Sequence, residues 1–258
     1  MFMFLIKKAF FDMWDHFLGV AMLNLGFIAL LTIPILVPPA VVETSVALAF
    51  FSQAVGILLV VVYAGAVSLA TRDMVNYQRP EFRKLIEYLK ESWKSSLVFG
   101  AILIGIVIVL WFGVPVYAGM GNLLGLAAIV FLLWALIIWG ISSQYYFPIR
   151  GQLDTKIPKI IRKCFVLFFD NTFFSILLAI GTIVIAVGSV FTALLIPGIT
   201  GLLIWHHAGL KLRLLKYDYL EENPSANRRR IPWDALLVDE EERVGKRTLR
   251  GMIFPWKE

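Results

Sequence analysis

The chain alternates between two textures. Long apolar stretches without charge are separated by short segments in which charged and apolar residues recur at helical spacing. About 20 consecutive apolar residues are enough to cross a bilayer as a helix. The apolar stretches predict six spans, at 17–37, 45–70, 97–118, 123–147, 171–195 and 199–215, followed by a polar tail at 219–258. In 97–118, fourteen side chains are Leu, Ile, Phe or Val. That favours insertion by about 4–8 kcal/mol as an upper bound. The last span is the weakest, because it is apolar only to Trp205 and then runs into His206, His207, Lys211 and Arg213. A full crossing and a re-entrant segment both fit it.

The intervening segments 2–17, 80–97 and 157–173 read as amphipathic helices. In the first, Met3, Ile6, Phe10, Met13, Trp14 and Phe17 share a face that excludes Lys7, Lys8, Asp12 and Asp15. An interfacial helix and a plain inward extension of the first span fit this segment equally. In the second, Pro80 suits a first helical position, and Phe82, Leu85, Ile86, Leu89 and Trp93 form the stripe. In the third, Ile157, Ile160, Ile161, Cys164, Phe165 and Phe168 oppose Lys159, Arg162 and Lys163. Trp14, Trp93 and Phe169 mark the three junctions, and twelve residues after each comes Gly26, Gly105 or Gly181. The expected fold is an all-α polytopic membrane protein of six transmembrane helices with three cytoplasmic interfacial helices. The spacing suggests a threefold repeat of interfacial helix, span out and span back. Pro38 and Pro39 are expected to stop the first span, and Tyr145 and Tyr146 to sit in an interfacial aromatic belt.

Composition agrees. Apolar residues are 59% of 258 and charged residues 16%, against about 45–50% and about 25% in soluble domains. A single cysteine, Cys164, excludes an internal disulfide framework and a cysteine-rich zinc site. The N-terminal apolar run is longer than a signal peptide's and lacks a clear cleavage site, so it reads as a retained span. The net charge of +6 borders the apolar spans, which argues against nucleic acid as a partner. With six spans, all 24 Lys and Arg fall on one side: two before the first, six after the second, five after the fourth and eleven from Lys211 onward. The positive-inside rule then makes both termini cytoplasmic.

Candidate chemistry is sparse. No Asp, Glu, Lys or Arg falls at an expected midplane, which leaves Asn24 and Gln53 as the mid-span polar residues. They suit interhelical hydrogen bonds, or the lining of a pathway. His206 and His207 are weak metal candidates, because adjacent helical residues point about 100° apart. No catalytic set or cofactor site emerges, so an enzyme is not expected. Arg83, Lys84, Lys90, Lys159, Arg162 and Lys163 present basic faces suited to anionic lipid or to a partner protein. In the tail, Trp233, Leu236, Leu237, Ile253, Phe254 and Trp256 could dock under the bundle, with disorder as the rival reading. The Arg228–Arg230 cluster is nearly cancelled by the acidic run at 239–242.

One family pattern is similar. Residues 5–218 resemble the bacterial membrane family of unknown function typified by YesL. The resemblance rests on Asn24, Pro34, Pro38 and Pro39, on Arg72 leading to the Phe82–Trp93 stretch, on Tyr146-Phe147-Pro148, and on Pro197-Gly198. The stretch between Pro39 and Arg72 is longer here, and the charged tail is an addition. The resemblance implies no activity. It implies a place beside bacterial carbohydrate uptake systems, hence an inner-membrane accessory or scaffold contacting permease or ATPase subunits. A small-solute transporter or channel with a pathway between hairpins is the alternative.

Overall fold

The structure, a computed structural model, describes residues 1–78, 81–228, 231–245 and 247. Every regular element among them is helical. The chain opens with α1 (Phe2–Asp15), turns at His16 (φ −113°, ψ 24°) and continues as α2 (Phe17–Val41). Next, α3 (Val46–Val75) returns antiparallel to α2, its start capped by Ser45, which accepts from the Leu48 N–H. A 3₁₀ turn (Phe82–Lys84) leads into α4 (Leu85–Ile108), which passes through a π-helical turn (Val109–Gly113) into α5 (Val114–Gly119). The return helix α6 (Leu123–Ser143) is N-capped by Asn122 and followed by the short α7 (Tyr146–Gln152). Then come α8 (Ile157–Asp170), a break at Asn171, α9 (Thr172–Phe191) and α10 (Gly198–Glu222). Two short helices, α11 (Trp233–Leu236) and α12 (Val238–Val244), end the described chain.

Five stretches are long and apolar enough to cross a membrane: Phe17–Val41, Val46–Val75, Leu85–Gly119, Leu123–Gln152 and Thr172–Phe191. Their outward faces are apolar, with Leu123 81% and Phe131 71% exposed. So large an apolar surface suits lipid, not water. The helix α10 is not among the five. It nevertheless lies antiparallel to α9, pairing Gly209 with Leu178 and His206 with Thr182, and reaches the end of α8 through Lys216 and Asp170. Helices α1, α2, α3, α7 and α9 surround it. Its polar residues therefore face protein, which explains how a helix of such modest hydropathy holds the centre of an apolar bundle.

Several expectations need correction. Pro38 and Pro39 do not stop α2, which runs on to Val41. The second amphipathic segment is not a separate helix, because α4 runs from Leu85 to Ile108 without a break. Arg79 and Pro80 lie outside the described residues. The inward face of α4 is only in part the apolar stripe, of which Leu85 and Leu89 pack half-buried against the core. Tyr88, Ser92, Ser95 and Ser96 are buried, whereas Ile86 and Trp93 are exposed. In α1 the inward face combines Phe4, Leu5, Ala9 and Phe11 with Lys8 and Asp12, while Met3, Ile6 and Trp14 point out. Only α8 has the expected polarity, burying Ile160, Cys164, Leu167 and Phe168 and exposing Lys159 and Arg162. A small or polar face packs more closely against a neighbouring helix, and the apolar face is stable towards lipid. Tyr145 and Tyr146 are core residues and form no belt. The Tyr145 hydroxyl pairs with Ser175 Oγ at 2.8 Å, and that of Tyr146 donates to the Ser95 carbonyl at 2.8 Å.

The first and third units correspond closely. Each has a 14-residue helix, a one-residue break, and a glycine ten residues past the break. In each, that glycine faces an aromatic ring of the returning helix: Tyr63 for Gly26, and Trp205 for Gly181. The middle unit lacks the break, and Gly105 has no neighbour within 4 Å of a built Cβ. Gly181→Ala is therefore expected to destabilise the protein by about 1–3 kcal/mol. Gly105→Ala should be neutral or stabilise it by up to about 1 kcal/mol. Thermal midpoints of the two variants in one detergent check both.

Candidate functional site

Many of the bundle's buried polar residues lie on α10 or against it. At its start, the fully buried Asn24 of α2 holds the α9–α10 turn. Its amide donates to the Leu195 and Pro197 carbonyls at 2.9 and 2.8 Å, and its carbonyl accepts from the Thr200 N–H at 2.9 Å. It thus caps α10 from another helix, meeting a donor that a helix start otherwise leaves unpaired. The turn needs such support, because Ala193 and Leu194 both have positive φ (50° and 64°).

Midway along α10, the two histidines diverge as adjacent residues must. His206 Nε2 lies 2.8 Å from Thr182 Oγ1 of α9, and His207 Nε2 lies 2.8 Å from Ser68 Oγ of α3. The Gln152 amide nitrogen approaches both His207 Nδ1, at 2.8 Å, and the His207 carbonyl, at 3.3 Å. With that amide donating to both, Nδ1 accepts and the His207 proton lies on Nε2, donating to Ser68. A histidine in this state cannot take the serine's proton. Ser68 is 1% exposed. The trio locks α3, α7 and α10 together.

Near the charged end, α10 enters an ionic cluster. Lys8 of α1 is fully buried, 3.1 Å from Asp12 Oδ2 and 3.3 Å from Glu240 Oε2 of α12. Lys211 of α10 meets Glu240 Oε1 at 2.7 Å. Both ammonium groups also donate to the Val75 carbonyl, at 3.1 and 3.3 Å, and both lie over the Tyr77 ring. The Tyr77 hydroxyl donates to Glu240 Oε2 at 2.7 Å. Burial pushes the Asp12 carboxyl up to about 6, outweighing Lys8. Burial acts the same way on Glu240, but the hydrogen bonds and charges of Lys211, Lys8 and Tyr77 outweigh it and hold that carboxyl below its usual range. Next to this cluster, Lys216 and Arg213 reach Asn171 Oδ1 at 2.9 and 3.4 Å, and the Arg213 guanidinium lies 3.7 Å from the Phe174 ring centre.

The other candidates lie elsewhere. Gln53 is half-buried in a groove of about 500 Å³ between α3 and α4, lined by Phe50, Ile57, Ile104 and Trp111 among others. It does not share a neighbourhood with Asn24, which faces α10. Arg83, Lys84 and Lys90 project from the start of α4, with Lys84 paired to Glu81 at 3.0 Å. Lys159 and Arg162 are exposed on α8, and Lys163 pairs with Asp154 at 3.3 Å. The tail is docked in part: Leu237 and Val244 are buried, and Lys7 donates to the Gly245 carbonyl at 3.0 Å. Ile253, Phe254 and Trp256 lie outside the described residues, as do Arg229 and Arg230. Sequence reasoning passed over Lys8, Ser68, Tyr77, Gln152, Lys211 and Glu240. The cations Lys211 and Arg213 inside a weakly apolar stretch were the available signal.

No protein-family model matches the chain, and neither the curated proteins nor the solved structures contain a match.

Proposed function

We propose that this chain is a six-crossing bacterial inner-membrane protein with both termini cytoplasmic, acting as a non-enzymatic accessory or scaffold for a membrane transport system. One observation carries the reading. Most polar groups inside the bundle are engaged within it, with Trp139 Nε1, Ser142 Oγ, Gln144 Oε1 and Thr200 Oγ1 among the exceptions, whereas the basic groups at one end are exposed to a partner. Asn24, Ser68 and His207 are at most 1% exposed and fully engaged; Arg83, Lys84, Lys90, Lys159 and Arg162 are exposed. A filled centre suits a scaffold better than a solute pathway. The antiparallel packing of α10 against α9 supports a sixth crossing, and the one-sided Lys and Arg charge supports the orientation. The resemblance to the YesL-like family belongs to the same reading, with permease or ATPase subunits as the partners and anionic lipid as the surroundings.

The test is purification from native membranes in mild detergent after in-cell crosslinking. Stoichiometric recovery of permease or ATPase subunits is expected, weakened by charge reversal at Arg83, Lys84 and Lys159. Recovery of the protein alone would overturn the accessory role. The transporter reading has one observation in its favour, the amide of Gln53 in an otherwise apolar groove. It requires solute flux in liposomes that Gln53→Leu abolishes.

A further inference from the structure

The ionic cluster has the composition of an anion receptor with an internal occupant. Three donors from three parts of the chain converge on one carboxylate: Lys8 Nζ from α1, the Tyr77 hydroxyl from the loop after α3, and Lys211 Nζ from α10. Each is aimed by a contact that does not involve the tail. The Val75 carbonyl holds both ammonium groups, and the backbone of Tyr77 takes a positive φ of 61° that sets its ring beside them. The receptor is thus built by the bundle, and only its anion comes from the C-terminal segment. Lys8 donates to the Val75 carbonyl and to Asp12 Oδ1, and forms an ion pair with Glu240 Oε2 at 3.3 Å. Lys211 spends two N–H groups, on Val75 and Glu240, which leaves one donor that the carboxylate does not use among the described residues. An oxyanion with more oxygens than a carboxylate would use it.

The occupant is held by a short segment. The seven-residue α12 is fastened by buried Leu237 and Val244, by Lys7 on the Gly245 carbonyl, and by Arg247 on Asp15 at 2.7 Å. It leaves a groove of about 740 Å³ against α1, lined by Met3, Phe4, Lys7, Val238, Glu241 and Gly245 among others. Met3, 80% exposed, lies on the apolar side of α1. The groove thus opens between α12 and the side of α1 that carries Met3; Lys8, Lys211 and Tyr77 are not among its lining residues.

We infer that Lys8, Lys211 and Tyr77 form a receptor for a phosphate group, which Glu240 fills in the closed form, and that release of α12 admits the ligand. Two lysines and a phenol suit a phosphate monoester, a tetrahedral dianion that accepts more hydrogen bonds than Glu240 and carries more charge. The phosphate can belong to a lipid headgroup or to a soluble molecule. Asp12 stays on Lys8 in either state and limits the site to one such anion.

The experiment uses the full chain in phosphatidylcholine nanodiscs. Inorganic phosphate is titrated by calorimetry against wild type, Glu240→Gln, and the double variant Leu237→Ser/Val244→Ser, which loosens α12 without touching the receptor. A parallel set of nanodiscs contains phosphatidate, and thermal midpoints are read. Removing an internal competitor raises apparent affinity by the fraction of sites freed, here expected to be roughly tenfold or more. A gain in either released form, abolished by adding Lys211→Met, supports the receptor. A response to inorganic phosphate identifies a soluble ligand, and a response confined to phosphatidate identifies a lipid. No gain in either released form with either probe, or a gain that survives Lys211→Met, overturns the proposal.

Discussion

Asn24→Leu is expected to be among the most destabilising single substitutions in this protein, costing about 2–6 kcal/mol. The side chain completes three hydrogen bonds across 171 to 176 residues of sequence. Leucine is close in size, so the loss is not a cavity effect. It leaves the Leu195 carbonyl and the Thr200 N–H without this partner in a part-buried turn, at about 1–3 kcal/mol each, whereas the Pro197 carbonyl still accepts from the Gly201 N–H. The turn also loses what holds Ala193 and Leu194 at positive φ. Asn24→Asp should fall between, since it keeps an acceptor for the Thr200 N–H but cannot donate to Leu195 and Pro197. Denaturation midpoints in mixed micelles rank the three proteins. A leucine variant within about 1 kcal/mol of wild type would mean that the α9–α10 turn stands without Asn24.

Lys8→Met should cost nearly as much, about 3–5 kcal/mol, because it strands buried carboxylates that the ammonium balances. Asp12 loses its main counter-charge, and Glu240 keeps only Lys211 and Tyr77. If the cost is a stranded charge and not lost packing, Lys8→Met/Asp12→Leu should recover a large part of it. A double variant no more stable than Lys8→Met would point to packing instead. Asp12 also gives a pH signature. Its carboxyl titrates near 6 in the folded protein, against an ordinary value of 3.8. Between those values the folded state holds a proton that the unfolded chain has lost. Asp12 therefore adds stability as pH falls from 6 towards 4, and that contribution fades as pH rises through 6. Asp12→Asn should lack this difference when its melting curves are compared with wild type across the same range.

Much of the architecture was legible in the chain. The spans that face lipid are apolar on most sides, so a hydropathy window finds them. The clustering of Lys and Arg marks the charged end, where Arg150 and Glu91, Arg72 and Asp73, and Lys211 and Glu240 do meet. What was hidden follows from the same physics. A helix at the centre of a bundle can carry His207, Lys211 and Arg213 because protein, not lipid, surrounds it, so α10 looks half soluble in sequence. The stripes of α1 and α4 were correctly seen as amphipathic, but sequence cannot say which face turns inward. In water the apolar face turns in; beside lipid, Lys8, Asp12 and Ser96 can turn in together with Phe4, Leu5 and Phe11. The site was the least legible part. It joins Lys8, Tyr77, Lys211 and Glu240 across 232 residues, and each alone looks like an ordinary interfacial residue. Asn24 was noticed as a mid-span polar residue, but its partners are backbone groups of a distant turn, which no side-chain pattern announces.

The central claim is that α10 completes a sixth crossing, so that every Lys and Arg shares one side of the membrane. Single cysteines at Met120, Leu194 and Ala226, with a membrane-impermeant maleimide, test it most directly. The native Cys164 is buried and is replaced by alanine as a control. Six crossings require labelling at 120 and 194 from outside intact cells, and labelling at 226 only in inverted vesicles. Labelling of 226 from outside, with 194, would leave five crossings and place the tail and its Glu240 across the membrane from Lys8, which would contradict both the bundle and its ionic cluster.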